Sequence, residues 1–370
     1  MAERLLRYDE FQLVKTYLDP FSDITSWIRS LKSSEYSKSL ILKHGKVRGQ
    51  HNISEAARAI GAHAESAINF LDQAFSGQPE ISYLPIYYCM LNLAKIIIIV
   101  NGKIYQLRTQ KTHGAIWSGS SKSSQNLVTD TITLMGKGTI PLYYEALTGA
   151  LWSKTSQRGK DKKWFSSHKR TISLKNIYPY LIRVSHEYST VHKSIFPMED
   201  IKLYINHFGQ GKGRFEIQTQ FNEILSRRQK SKIKILSGLS IRDNFYVTKT
   251  FRSNTRKNIV KGLNKQFRRF LIYDTLQSTM DIDILDYGLQ DQIKSFTPIS
   301  NSTFLLPEEI PILLAFFHLG SVCRYDPERM KRYLNSPSVK YLEPLIRQGA
   351  YRFCELFWCN LNQISYIIHS

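Results

Sequence analysis

The chain is poor in cysteine. Its four cysteines in 370 residues, Cys89, Cys323, Cys354 and Cys359, form no C-x-x-C pair, which excludes a disulfide miniprotein and predicts reduced core thiols. Long uncharged apolar runs are also missing. The strongest stretch, Ile81 to Val100, contains Pro85, Asn92 and Lys95 and falls short of the roughly 18 uncharged residues needed to cross a bilayer. The opening MAERLLRYDE has no signal-peptide core. A cytoplasmic protein with no membrane partner is expected. No G-x-S-x-G element suggests a serine hydrolase. Gly209 to Gly213 (GQGKG) lacks the Lys-Ser/Thr of a phosphate-binding P-loop and reads as a hairpin turn. His186 and His192 have no zinc-ligand spacing, and Asp281, Asp283 and Asp286 have no fourth ligand in view. No metal and no cofactor are expected.

Acidic residues are few, 30 against 51 Lys and Arg, for a net charge of +21. The imbalance is local. Residues 1–100 hold 11 basic and 10 acidic side chains and residues 271–370 hold 8 and 11, so residues 101–270 hold 32 basic and 9 acidic ones. Such a block attracts a polyanion such as nucleic acid, RNA or DNA alike, or an anionic membrane, and would equally be a merely soluble basic surface.

What is present is enough apolar material, 42% of residues, for real cores, in a chain long for one compact domain. Helical spacing is expected over Arg4–Leu18, ended by Pro20, and again after a cap at Ser22 or Asp23. Ser34 opens a helix that Gly45 stops, and Ser54 opens an alanine-rich one that ends near Gly77. Tyr83 to Leu107 is apolar nearly all round, as in the buried centre of a bundle, although Ile96–Val100 would also suit a buried strand. Ser118–Asn126 reads as a loop, and helical character returns over Leu142–Trp152. Around Lys202 the period becomes two, IKLYINHF and RFEIQTQF flanking the glycine turn, which predicts a hairpin. KIKIL and FYVTKTF add strands, and Asn254–Ile272 reads as a basic helix. Helices are expected again over Glu308–Cys323 and Val339–Ile368. The fold class is therefore mostly α: a helical bundle over 1–155, a basic α+β region over 156–300, and a carboxy-terminal helical segment over 301–370 that packs back on the bundle.

The candidate site is RTQKTHG, Arg108 to Gly114, directly after the most buried helix. Cleaving RNA without a metal needs a base for the 2′-hydroxyl, an acid for the 5′-oxygen and a cation for the charged phosphorane. Imidazole and guanidinium supply these. On a continuous helix Arg108 and His113 would diverge by about 140°, so either the chain turns between them or two copies share a site. Arg108 would equally serve as a helix carboxy-terminal cap and His113 as a polar loop residue.

At these residues the sequence resembles the HEPN superfamily, in which an Arg, four to six residues and a His mark metal-independent endoribonucleases, and more narrowly YaaC-like proteins. The resemblance rests on YLPIYYCMLNLAKIIIIVNGK, RTQKTHG and LLAFFHLGSVCRYDP. It implies a HEPN-like bundle, a homodimer with a composite cleft, His113 as acid/base and Arg108 as phosphate clamp, and a toxin or antiviral defence role under a regulatory partner protein. The residue after the Arg is Thr109, where active members usually carry Asn, Asp or His. The alternative is a non-catalytic nucleic-acid-binding or scaffold subunit.

Lys111 lies inside the motif. Lys160, Lys162 and Lys163, Arg227 and Arg228, and Arg268 and Arg269 belong to basic runs interleaved with Trp164, Phe165, Phe245, Tyr246, Phe251 and Phe267. Phosphate pairing with base stacking is their expected use. A solvated face over core aromatics would look the same.

Overall fold

The computed structural model describes residues 11–15, 19–117, 127–148, 170–178, 181, 184–193, 198–207, 212–219, 240–242, 245–247, 251–252, 283–287, 290–298, 307–363 and 365–369. Two compact units emerge, one from residues 16–194 and 309–362, the other from 1–15, 195–308 and 363–369.

The first unit is mostly helical. α1 (Pro20–Ser30) begins where a stop was expected: Pro20 occupies the first turn, where its missing N–H costs nothing, and Asp19 accepts from Phe21 N at 3.3 Å. α2 (Ser34–His44) ends at Gly45 as expected, with Ser33 as its cap. α3 (Gln50–Ser76) starts a turn before Ser54, behind Gly49, and lays Ala57, Ile60, Ala64, Ala67 and Leu71 against the core. α4 (Pro79–Val100) is the centre of the bundle, packed by α3, α6 (Thr139–Thr148), α8 (Glu309–Tyr325) and α10 (Val339–Asn362). Ile96 to Val100 are buried and helical, which settles the helix-or-strand ambiguity. α4 is long and apolar enough to span a membrane, yet 83% of that window is buried against its neighbours. The expected continuation to Leu107 fails at Gly102: the helix stops, and α5 (Ile104–Arg108) restarts as a short separate turn. α7 (Ser185–His192), α9 (Pro327–Leu334) and a three-stranded antiparallel sheet of β2 (Ala115–Trp117), β3 (Thr131–Leu134) and β4 (Arg170–Ser173) complete the unit. The carboxy-terminal helices thus pack back as expected, and β4 and α7 join this unit although both lie past residue 155.

The end of α10 shows how distant segments are locked together. Lys43 Nζ donates to Asn362 O at 2.7 Å and His44 Nε2 to Leu361 O at 2.6 Å, so the last turn of α2 caps the carboxy-terminal carbonyls of α10. Burial lowers the pKa of His44, and also of His63, His113, His192 and His318. A folded-state pKa below the unfolded value of about 6.5 means that the unfolded chain takes up protons first as pH falls. The melting temperature should therefore be flat above about pH 7 and decline as pH drops below about 6.5. A scanning calorimetry series that stayed level down to pH 5.5 would contradict this.

The second unit is a sheet. β5 (Met198–His207) and β6 (Lys212–Thr219) form the expected antiparallel hairpin, with Ile201 opposite Thr219 and His207 opposite Gly213. With β7 (Ser240–Arg242), β8 (Phe245–Val247), β9 (Phe251–Arg252), β10 (Asp283–Tyr287) and β11 (Gln290–Pro298) they run in the order β10-β11-β5-β6-β8-β7, β9 also pairing β6. A separate parallel pair joins β1 (Phe11–Lys15) to β12 (Ser365–His369). Both strands correct expected helices, Arg4–Leu18 and the end of Val339–Ile368. Each segment alone carries helical spacing; a backbone partner more than 350 residues away in the chain, Ser365 opposite Phe11, is invisible to periodicity. The expected elements KIKIL, Asn254–Ile272 and Ser118–Asn126 lie outside the described residues.

Candidate active site

Arg108 is the last residue of α5, and the next five residues turn rather than continue the helix. The turn is held by the amino-terminal end of α6, whose first N–H groups lack helical acceptors. Thr139 N donates to Thr112 O at 3.2 Å and Ile140 N to His113 O at 2.8 Å, while Met135 N donates to Gly114 O at 2.9 Å. Close passage of the two chain segments depends on two glycines. Gly114 has φ +90° and Gly138 has φ +135°; a Cβ on Gly138 would lie 2.3 Å from Gly114 N, and one on Gly114 would lie 2.4 Å from Pro141 Cδ. Gly138→Ala should therefore cost at least about 2 kcal/mol through backbone strain and overlap. A urea titration would show it, and a midpoint equal to that of the unsubstituted chain would refute the clamp.

The turn has a geometric outcome. Arg108, Lys111 and His113 line one pocket of about 290 Å³ together with His63 from α3 and Lys95 from α4, with Thr139 on the α6 side. Of the two routes left open by the spacing, a turn or two copies, the single chain already takes the first. Arg108 is exposed, and its Nη2 lies 2.6 Å from Glu55 Oε1, with the guanidinium 6.0 Å from the Tyr105 ring centroid. The guanidinium is thus paired to α3 rather than folded back on the carbonyls of α5. His113 is exposed as a residue, and its ring meets Tyr87 in a T-shaped contact at 5.7 Å. Desolvation, followed by the charge of Lys95, lowers its pKa, so the imidazole is neutral near pH 7. Thr109 Oγ1 donates to Gln106 O at 2.8 Å.

His63 and Lys95 were not among the expected site residues. No sequence spacing connects them to RTQKTHG; the one available signal was that Lys95 is the sole charge between Ile81 and Val100. Lys160, Lys162, Lys163, Arg227, Arg228, Arg268 and Arg269 lie outside the described residues.

A second polar cluster sits in the interior. Asp130, fully buried, receives His318 Nε2 at 2.8 Å, Tyr333 Oη at 2.9 Å and Arg329 Nη1 at 3.4 Å. Arg329 also meets Asp326 Oδ2 at 2.9 Å and lies 5.5 Å from the Trp117 ring centroid. Part of LLAFFHLGSVCRYDP is thereby explained: His318 belongs to this network, and Asp326 caps α9 by accepting from Arg329 N at 3.0 Å.

These features define a mostly helical protein with a positively charged pocket at the edge of its central helix. The chain belongs to the YaaC-like protein family, which it matches over residues 26–361. No curated protein and no solved structure matches it.

Proposed function

We propose that the protein is a HEPN-type, metal-independent endoribonuclease. The observation that carries this reading is the convergence of Arg108 and His113 on one pocket, despite the 140° or so by which a continuous helix would separate them. In this reading Arg108 grips the scissile phosphate and His113 moves a proton, leaving a 2′,3′-cyclic phosphate and a 5′-hydroxyl. The basic excess in residues 101–270 favours a nucleic acid, and metal-free attack by a 2′-hydroxyl makes RNA the substrate class. Before it binds RNA, Arg108 is engaged by Glu55, so the phosphate must compete with a carboxylate, in keeping with an effector held in check. A homodimer, a regulatory partner protein and a toxin or antiviral defence role come with the resemblance to HEPN proteins; a cytoplasmic setting is proposed beside them.

The alternative, a non-catalytic nucleic-acid-binding or scaffold subunit, draws on Thr109, whose hydroxyl is spent on the α5 backbone. Incubation of the full chain with total RNA in EDTA separates the two. Products ending in cyclic phosphate support the nuclease. RNA retention without cleavage, with and without cell extract as activator, supports the alternative.

A further inference from the structure

The pocket holds more cationic chemistry than a phosphate clamp and one proton carrier require. His63, Lys95, Arg108, Lys111 and His113 converge from α3, α4, α5 and the following turn, and among the described residues only Arg108 has a carboxylate partner, Glu55. Lys95 is half-buried and is the one charged side chain between Ile81 and Val100 of α4, and its charge disfavours protonation of both imidazoles. An ammonium kept beside two imidazoles leaves a positive potential that attracts an anion.

The orientation of His63 is set by its neighbour. Asn92 Nδ2 donates to Tyr88 O at 2.8 Å, which turns Oδ1 toward His63 and makes it accept from His63 Nδ1–H at 2.9 Å. The lone pair of His63 is therefore on Nε2. The amide orientation follows because a carbonyl oxygen can only accept.

We propose that His63 is the second proton-transfer group of this site, with Lys95 as the cation on the non-bridging phosphate oxygens, so that one chain carries a complete acid–base pair. This rests on the endoribonuclease reading. His63 Nε2 removes the 2′-hydroxyl proton as the 2′-oxygen to phosphorus bond forms. The bond from phosphorus to the 5′-oxygen breaks, its electron pair leaving with that oxygen, which takes a proton from protonated His113. The products are the cyclic phosphate and the 5′-hydroxyl, and solvent exchange resets the two imidazoles. In the free chain burial and Lys95 disfavour a proton on both imidazoles, the Asn92 hydrogen bond partly opposing this at His63; in this assignment His63 stays neutral as the base, and the proton taken up with the phosphate, which offsets Lys95, rests on His113. Asn92 is a positioning residue. The pocket volume, about 290 Å³, is near the low end for small-ligand sites and suits one nucleotide rather than a longer stretch.

The test uses the full chain and a short RNA with one cleavable linkage, made with either oxygen or sulfur at the 5′-bridging position; a thiolate leaves without an acid. His63→Ala should lose about 10²-fold or more in rate on both substrates, whereas His113→Ala should lose as much on the oxygen substrate and recover on the sulfur one. Lys95→Met should lose activity that Lys95→Arg retains. Asn92→Asp, which strengthens the hold on Nδ1–H, should move the acidic limb of the pH–rate profile upward. Melting temperatures show which variants fold, and the Asn92 and Lys95 variants keep the test open should His63→Ala not. Cleavage by a folded His63→Ala within about threefold of the parent, with an unchanged acidic limb, or sulfur rescue of His63→Ala instead of His113→Ala, overturns the assignment of His63 while leaving the nuclease standing. A parent chain that cuts neither substrate overturns the nuclease reading, and this assignment with it.

Discussion

His113→Ala is expected to reduce RNA cleavage by about 10²- to 10⁴-fold, the range for removing a positioned proton-transfer group, while changing stability by no more than about 0.5 kcal/mol. The separation follows from how the residue is held. Its carbonyl, not its side chain, makes the bond to Ile140 N that fixes the turn, and the residue as a whole is exposed, its ring partly desolvated where it lines the pocket and meets Tyr87. Truncation thus removes the imidazole from the pocket and leaves the Gly114–Gly138 crossing intact. Initial rates on a fluorogenic RNA, together with melting curves, are the measurements. Equal rates for the variant and its parent would remove His113 from the chemistry.

The largest stability effect should come from Asp130→Ala, at about 3 kcal/mol or more. One carboxylate there serves three donors with essentially no access to water: His318, Tyr333 and Arg329, from α8 and α9. Removing it leaves an imidazole N–H and a phenol unpaired, and it strips the buried guanidinium of one of two carboxylates, Asp326 remaining. The melting temperature should fall by roughly 6–12 °C for a unit of this size. Asp130→Asn, which keeps an acceptor but not the charge, should fall in between. A melting temperature within about 2 °C of the parent for Asp130→Ala would show that the network contributes specificity rather than stability.

Legibility in the sequence followed the range of the interactions involved. α2 was readable because its stop is local, at Gly45, and α4 because a segment apolar on every side has only a core to occupy. The β5–β6 hairpin was readable because alternation and a glycine turn are neighbours in sequence. Pro20 was misjudged: the same ring that ends one helix starts another, and the choice lay with Asp19, which caps α1, and with a strand formed by the preceding segment. Arg108 and His113 could be singled out by residue type and spacing, but His63 and Lys95 could not, because only the packing of α3 on α4 brings them to the same pocket.

Composition and local pattern alone determined that the chain is mostly helical with an apolar central helix, that its positive charge lies in residues 101–270, and that RTQKTHG carries the residue types of a metal-free phosphodiester site. Tertiary structure alone decided that Arg108 and His113 face one space, that two more basic groups join them, and that the late His318 serves Asp130 instead. The physical reason is that periodicity records which side of an element is apolar, whereas a site is made by backbone turns such as Gly114 against Gly138 and by contacts between segments far apart in the chain.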